Sequence, residues 1–281
     1  MVKTGGTNLM EVTVITGGGS GIGLEVAKSI INGKVVITGR TEKKLMAAKF
    51  ELTRLGVDAL IFPCDVSKRS DVIALRDFAS SLGNVKTVIH AAGLSPHMGD
   101  PKKLIEVNAL GTVYLDTEFM EVMGTGGCII NVSSNSAYQI PNILISEKVY
   151  KLALTDEEKF VKRLIKKSSI IRDDYKRKGL AYAYSKNFVL WFSKYFALKC
   201  KEKNIRVLSV SPGLIKTPMG DKEKDEGAEM LKYGAISRMG EASEVAYLIN
   251  SVSNSRCGYL TGVDILCDGG CTNLKRYAKM V

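Results

Sequence analysis

The chain has 281 residues, 45% of them hydrophobic and 25% charged, with a net charge of +11, a globular composition that excludes a disordered or fibrous chain. No apolar run approaches the roughly 18 to 20 residues that cross a bilayer, and residues 1–11 lack the apolar stretch of a secretory signal, so the expectation is a cytoplasmic protein with no membrane partner. Cys64, Cys128, Cys200, Cys257, Cys267 and Cys271 are scattered without a CxxC pair and are joined by only two histidines, His90 and His97, which predicts neither a disulfide framework nor a metal site.

From Glu11 onward, short β-rich runs alternate with longer stretches of helical spacing. Strands are predicted at 12–16, 34–38, 58–62, 87–91, 128–132, 206–210 and 263–266, and crossover helices at 21–32, 42–55, 70–82, 102–123, 182–203 and 243–252. Runs built mostly from Val, Ile and Leu mark strands buried on both faces. The predicted fold class is therefore α/β: one domain over 1–281, a doubly wound, seven-stranded parallel sheet with helices on both faces.

Segment 135–179 is too long for an ordinary crossover and reads as a helical insertion. Thr155 is the expected N-cap, with Asp156 and Glu157 in the first turn and Glu158 at the capping-box position, while Phe160, Leu164 and Ile165 form an apolar stripe reaching Lys167. Between positions 147 and 178 lie eleven basic and six acidic residues. A membrane or nucleic-acid contact is one reading of such a helix; the reading taken is a solvated basic face whose stripe packs on the parent domain, with no nucleic-acid partner.

The first predicted strand runs into Gly17-Gly18-Gly19-Ser20-Gly21-Ile22-Gly23, a turn that opens a helix. Its glycines allow close approach of a pyrophosphate, whose charge the helix N-terminus stabilises. The second strand ends at Arg40, where a guanidinium suits the 2′-phosphate of NADP(H) and an acidic residue would suit NAD(H). Asp65, after the third strand, either receives an adenine amino group or forms a turn before Ser67. Tyr182 and Lys186 stand at i and i+4 and share one helix face. An ammonium there is expected to stabilise the phenolate and make Tyr182 a usable acid and base. Tyr184 has Phe188 at the corresponding place. Ser134, past the fifth strand, is positioned to donate to a carbonyl oxygen, with Ser133 as its competitor.

Taken in order, the glycine turn, Asn108, Asn131-Val132-Ser133-Ser134, Tyr182 with Lys186, and Ser211-Pro212-Gly213-Leu214-Ile215-Lys216-Thr217 resemble the short-chain dehydrogenase/reductase family across nearly the whole chain. The resemblance implies a Rossmann fold, an NADP(H) cofactor with NAD(H) as the alternative, and Tyr182 as general acid/base. It further implies that Lys186 binds the nicotinamide ribose, that Ser134, the last residue of its run, orients the carbonyl, and that Asn108 holds a water in a proton relay. Cofactor contacts are expected from Gly17, Gly19, Ser20, Gly21, Ile22, Gly23, Arg40, Asp65, Val66, Ala91, Ala92, Gly93, Pro212, Gly213, Ile215 and Thr217, besides Tyr182 and Lys186. His90 departs from the family's asparagine before Ala91-Ala92-Gly93 and leaves that residue's sheet-stabilising role open.

A short fourth crossover and the long insertion resemble the 3-alpha-hydroxysteroid dehydrogenase/carbonyl reductase branch. They imply a small hydrophobic alcohol or ketone as substrate and a homodimer or homotetramer, with the insertion overhanging the active site and changing the interface. The alternatives are a reductase of a nonsteroidal carbonyl or enoyl compound, and a nonenzymatic dinucleotide-binding regulatory protein.

Overall fold

Val, Ile and Leu occupy consecutive positions in the strands, and the pleat sends neighbours to opposite faces. Val14, Val36, Val88, Ile129 and Val207 enter one core, while Ile15, Ile37, Ile89, Ile130 and Leu208 enter the other. The computed structural model describes residues 10–275 and Tyr277; the segment read for an export signal lies outside the described residues up to position 9. The strands are β1 (Glu11–Thr16), β2 (Lys34–Gly39), β3 (Asp58–Pro63), β4 (Asn84–His90), β5 (Cys128–Val132), β6 (Arg206–Pro212), a two-residue pair β7 (Ile215–Lys216) and β8 (Gly240–Glu241), and β9 (Asp264–Cys267). Seven of them form a parallel sheet in the order β3-β2-β1-β4-β5-β6-β9. The order reverses between β1 and β4, and a crevice opens beyond the strand ends at such a point.

The helices are α1 (Gly21–Lys28), α2 (Glu42–Arg54), α3 (Arg69–Leu82), α4 (Pro101–Ile105), α5 (Gly111–Val122), α6 (Glu147–Tyr150), α7 (Glu157–Ser168), α8 (Asp174–Lys199), α9 (Lys224–Leu231), α10 (Ala242–Ser253) and α11 (Cys271–Leu274). Helices α1, α2 and α10 cover one face of the sheet, and α3, α5 and α8 the other. The seven-stranded, single-domain architecture is as expected, with local differences. Strand β4 begins before position 87 because Asn84 N–H donates to the Met10 carbonyl at 2.9 Å. Helix α1 stops at Lys28, where the Ser29 hydroxyl turns back to the Val26 carbonyl. The helix predicted over 102–123 is interrupted by a π-turn at Glu106–Leu110, which carries Asn108.

The insertion differs most at its ends. Its main helix is capped by Asp156, whose carboxylate accepts from Lys159 N–H at 3.0 Å, rather than by Thr155. The helix predicted to begin at Tyr182 starts at Asp174, two turns earlier, because Asp173 caps it through Lys176 N–H at 2.8 Å. The apolar stripe does pack on the parent domain: Phe160 lies 4.9 Å from Phe188, ring centre to ring centre. Tyr150 meets the same ring edge-on at 5.3 Å and donates to Asn187 Oδ1 at 2.7 Å. Asn187 in turn donates to the Ala137 carbonyl at 2.9 Å, so the first part of the insertion is tied to α8 at two points. Of the apolar residues near its start, Ile140 is buried, whereas Ile143 is 91% exposed.

Candidate active site

At Gly17 the backbone takes φ +68°, and a Cβ there would meet the Ala91 and Ala92 backbone at 2.9 Å; one on Gly23 would meet the Gly17 carbonyl oxygen at 2.6 Å. Only glycine lets this turn pack against the end of β4 while the first amides of α1 face outward. They face a cleft of about 810 Å³. Arg40, Asp65 and Val66 line it, as do Ala91 to Gly93, Ser134, Tyr182, Lys186 and Pro212 to Thr217, together with the glycine loop. A cradle that no side chain could share, opening on a long cleft at the sheet's reversal point, fits a dinucleotide.

Every residue expected to contact the cofactor lines this one cleft. Arg40 is exposed at the end of β2. Asp65 Oδ1 accepts from both the amide and the hydroxyl of Ser67, at 3.0 and 2.6 Å, so the turn role read for it is realised while the residue also lines the cleft. Partial burial pushes its carboxyl up, but the Ser67 hydrogen bonds, Lys103 and Arg40 together hold it below its ordinary value.

At the other end Ser133 and Ser134 divide. Ser133 Oγ donates to the Lys186 carbonyl at 2.8 Å and is buried there. Ser134 faces the cleft, accepts from Ser136 N–H at 3.1 Å and hydrogen-bonds the Tyr182 phenol. Lys186 Nζ donates to the Val132 carbonyl at 2.9 Å and stands 5.9 Å from the Tyr182 ring centre. Tyr184, on the other face of α8, is buried away from the cleft under the Lys167 ammonium.

Burial pushes the Tyr182 phenol above its ordinary value, the Glu223 carboxylate adds to the shift, and the Ser134 hydrogen bond opposes it. Burial also pulls the Lys186 ammonium down to about 8 despite Glu223. Desolvation is the largest influence on both groups.

Asn108 is buried beside the cleft rather than in its lining. Its Oδ1 accepts from Leu94 N–H at 2.8 Å, and its Nδ2 donates to the Leu94 carbonyl at 3.0 Å and to Ser185 Oγ at 3.1 Å. That commitment fixes the turn after Gly93 against α8. His90 answers the question its position raised: Thr16 Oγ1 lies 2.7 Å from His90 Nδ1 and accepts from Ala92 N–H at 3.0 Å, joining the ends of β1 and β4. Burial, then the Lys186 charge, pull His90 down to about 3, so the ring is neutral. Glu223, missed in the sequence, lines the cleft near both Tyr182 and Lys186. No motif marks it; only its place in the chain after Thr217 draws attention to the segment.

The profile of the family described as short chain dehydrogenase matches residues 11–151, half of the chain, and that described as enoyl-(acyl carrier protein) reductase matches 154–272. The chain is a member of the short-chain dehydrogenase/reductase family. It is accordingly an NAD(P)-dependent oxidoreductase, which sets aside the nonenzymatic reading. Similar proteins include the short-chain dehydrogenase/reductase bsc3 of Alternaria brassicicola, 28% identical with 93% of this chain and 96% of that protein covered. The NADP-dependent (R)-specific alcohol dehydrogenase of Lentilactobacillus kefiri is 28% identical with 93% and 96% covered. The 7alpha-hydroxysteroid dehydrogenase of Bacteroides fragilis is 26% identical with 93% and 94% covered. Among solved structures, an actinorhodin polyketide ketoreductase with NADPH superposes with a TM-score of 0.75 at 22% identity, covering 94% of this chain and 98% of that one.

Proposed function

We propose that this member of the family interconverts a ketone and a secondary alcohol with NADP(H), and that its substrate is an apolar carbonyl compound of the hydroxysteroid class. The observation that carries the reading is the convergence of Ser134, Tyr182 and Lys186 in the cleft the glycine loop opens. The nicotinamide supplies the hydride when bound. Ser134 holds the substrate oxygen, and the Tyr182 hydroxyl gives that oxygen its proton or takes it back. Lys186, fixed by the Val132 carbonyl, binds the nicotinamide ribose. Asn108 acts as a positioning residue, through the Leu94 turn and Ser185.

An apolar substrate is supported by Leu94, Met98, Ile140, Leu180, Met219 and Leu231 along the substrate end of the cleft, and by the similarity to a hydroxysteroid dehydrogenase. NADP(H) is supported by Arg40 in the cleft and by the similarity to an NADP-dependent alcohol dehydrogenase. Initial rates for hydroxysteroids and small ketones with both cofactors test the whole reading. Arg40→Asp should shift the preference from NADP(H) toward NAD(H) by at least about tenfold, the scale of a charge-assisted bidentate contact. Wild-type protein that favours NAD(H) would refute the cofactor assignment. Assembly is proposed to be homo-oligomeric through a surface other than the one α7 covers on α4 and α8; sedimentation tests it.

A further inference from the structure

Helix α7 turns Phe160, Val161 and Leu164 inward, which leaves Lys159, Lys162, Arg163 and Lys166 along its outer face. Among the described residues, only Lys162 of these four has a salt bridge, with Glu158. The cations do not stand alone. Ile170, just past the helix end, is 73% exposed, and Lys167 donates to the Leu144 carbonyl at 2.9 Å, which ties the turn carrying the exposed Ile143 to the helix. Isolated exposed isoleucines are ordinary on a protein surface, but beside a row of cations they make the pairing that an anionic, apolar-cored layer meets on both counts.

We propose that this face of the insertion docks on an anionic lipid surface, with Lys159, Arg163 and Lys166 at the headgroups and Ile143 and Ile170 entering the acyl boundary. Nucleic acid satisfies the charges and leaves the isoleucines exposed. The two isoleucines are isolated tips rather than a groove, which suits a fluid layer that needs no shape match. No helix among the described residues is long and apolar enough to cross a membrane, so the contact is peripheral. This departs from the expectation of no membrane partner, which rested on the lack of a bilayer-crossing apolar run; an interfacial contact needs no such run.

The position gives the contact a use. Ile140 and Ile171 line the cleft, three residues from Ile143 and one from Ile170, so the docking face borders the cleft rim. A lipid-dissolved ketone could pass from the membrane to the site with little exposure to water. That delivery role rests on the proposed apolar substrate; the docking itself does not.

Full-length protein is to be sedimented with vesicles of phosphatidylcholine alone and of phosphatidylcholine mixed with phosphatidylserine, over a range of salt. Binding is expected only with phosphatidylserine, weakening as salt rises. The triple variant Lys159→Gln, Arg163→Gln, Lys166→Gln should bind at least about tenfold more weakly, since each cation near such a surface carries roughly a fivefold effect. Ile143→Asn with Ile170→Asn should also weaken binding about tenfold or more. Both variants should reduce a water-soluble ketone at the wild-type rate. Absence of binding to the mixed vesicles, equal binding to both vesicles, or variants that bind as wild type would overturn the proposal. Duplex DNA binding that survives the isoleucine changes, with no vesicle binding, would assign the face to nucleic acid instead. Absence of ketone reduction in the wild type would count against the proposed reaction and leave the vesicle result standing.

Discussion

Two adjacent serines past β5 show how one residue step separates chemistry from support. Ser133 reaches back to the Lys186 carbonyl and joins the strand end to α8; Ser134 opens onto the cleft against the Tyr182 phenol. Ser134→Ala should therefore lower kcat/KM by roughly a hundredfold, the scale of a lost polar group acting in the transition state, with nucleotide affinity unchanged. Ser133→Ala should cost about 1 kcal/mol of stability through a lost buried hydrogen bond, read by chemical denaturation. If the Ser133 change were the one that removed turnover, the assignment would be reversed. Of these facts the residue types and their order were legible in the chain. The commitment of Asn108 to the Leu94 backbone was not, because it depends on a π-turn that helical periodicity does not reveal.

At the scale of elements, the insertion works as a wedge against α8. Tyr150 and Phe160 enclose Phe188, and the Tyr114 hydroxyl donates to Glu157. Phe160→Ala should destabilise the protein by about 3 to 5 kcal/mol, the range for removing a buried phenylalanine. A loss under about 1 kcal/mol would mean that α7 is only loosely attached. Strands were legible because short runs rich in Val, Ile and Leu at regular intervals suit a parallel sheet covered on both faces; β5 and β6 are buried at every residue. The start of α8 was not legible. Residues 174–181 are mostly charged or small, and what makes them helical is the Asp173 cap and continuity with the buried turn at Tyr182.

Across the whole molecule, buried titratable groups set how stability varies with pH. Asp116, on α5, is buried and accepts from Asn131 Nδ2 of β5 at 2.8 Å. Burial pushes its carboxyl up to about 8 against that hydrogen bond, from an ordinary 3.8. The folded state therefore keeps the proton while the unfolded chain releases it, and the resulting stability is full below about pH 4 and lost as pH rises toward 8. His90 acts oppositely: burial pulls it from 6.5 to about 3, so its contribution is full above about 6.5 and lost on acidification. The two slopes oppose each other at low pH, and above about 6.5 the Asp116 slope stands alone of the pair. Denaturant stability should fall between about pH 6.5 and 8 and flatten in Asp116→Asn. A wild-type curve that rises across that window and is unchanged in Asp116→Asn would show Asp116 to be ionised in the fold. Arg206, at the start of β6, donates to the carbonyls of Val252 and Ser253, each at 2.8 Å, and so ties the sheet to the C-terminus of α10.

The central claim is that the Tyr182 hydroxyl transfers the proton at a carbonyl held in the nucleotide cleft, and the most direct measurement pairs steady-state NADPH oxidation by a ketone with NADPH affinity in wild type and Tyr182→Phe. The account predicts a fall in kcat of at least about a hundredfold with nucleotide affinity within about twofold, because the ring stays and only the transferable proton goes. Turnover retained in Tyr182→Phe would contradict it.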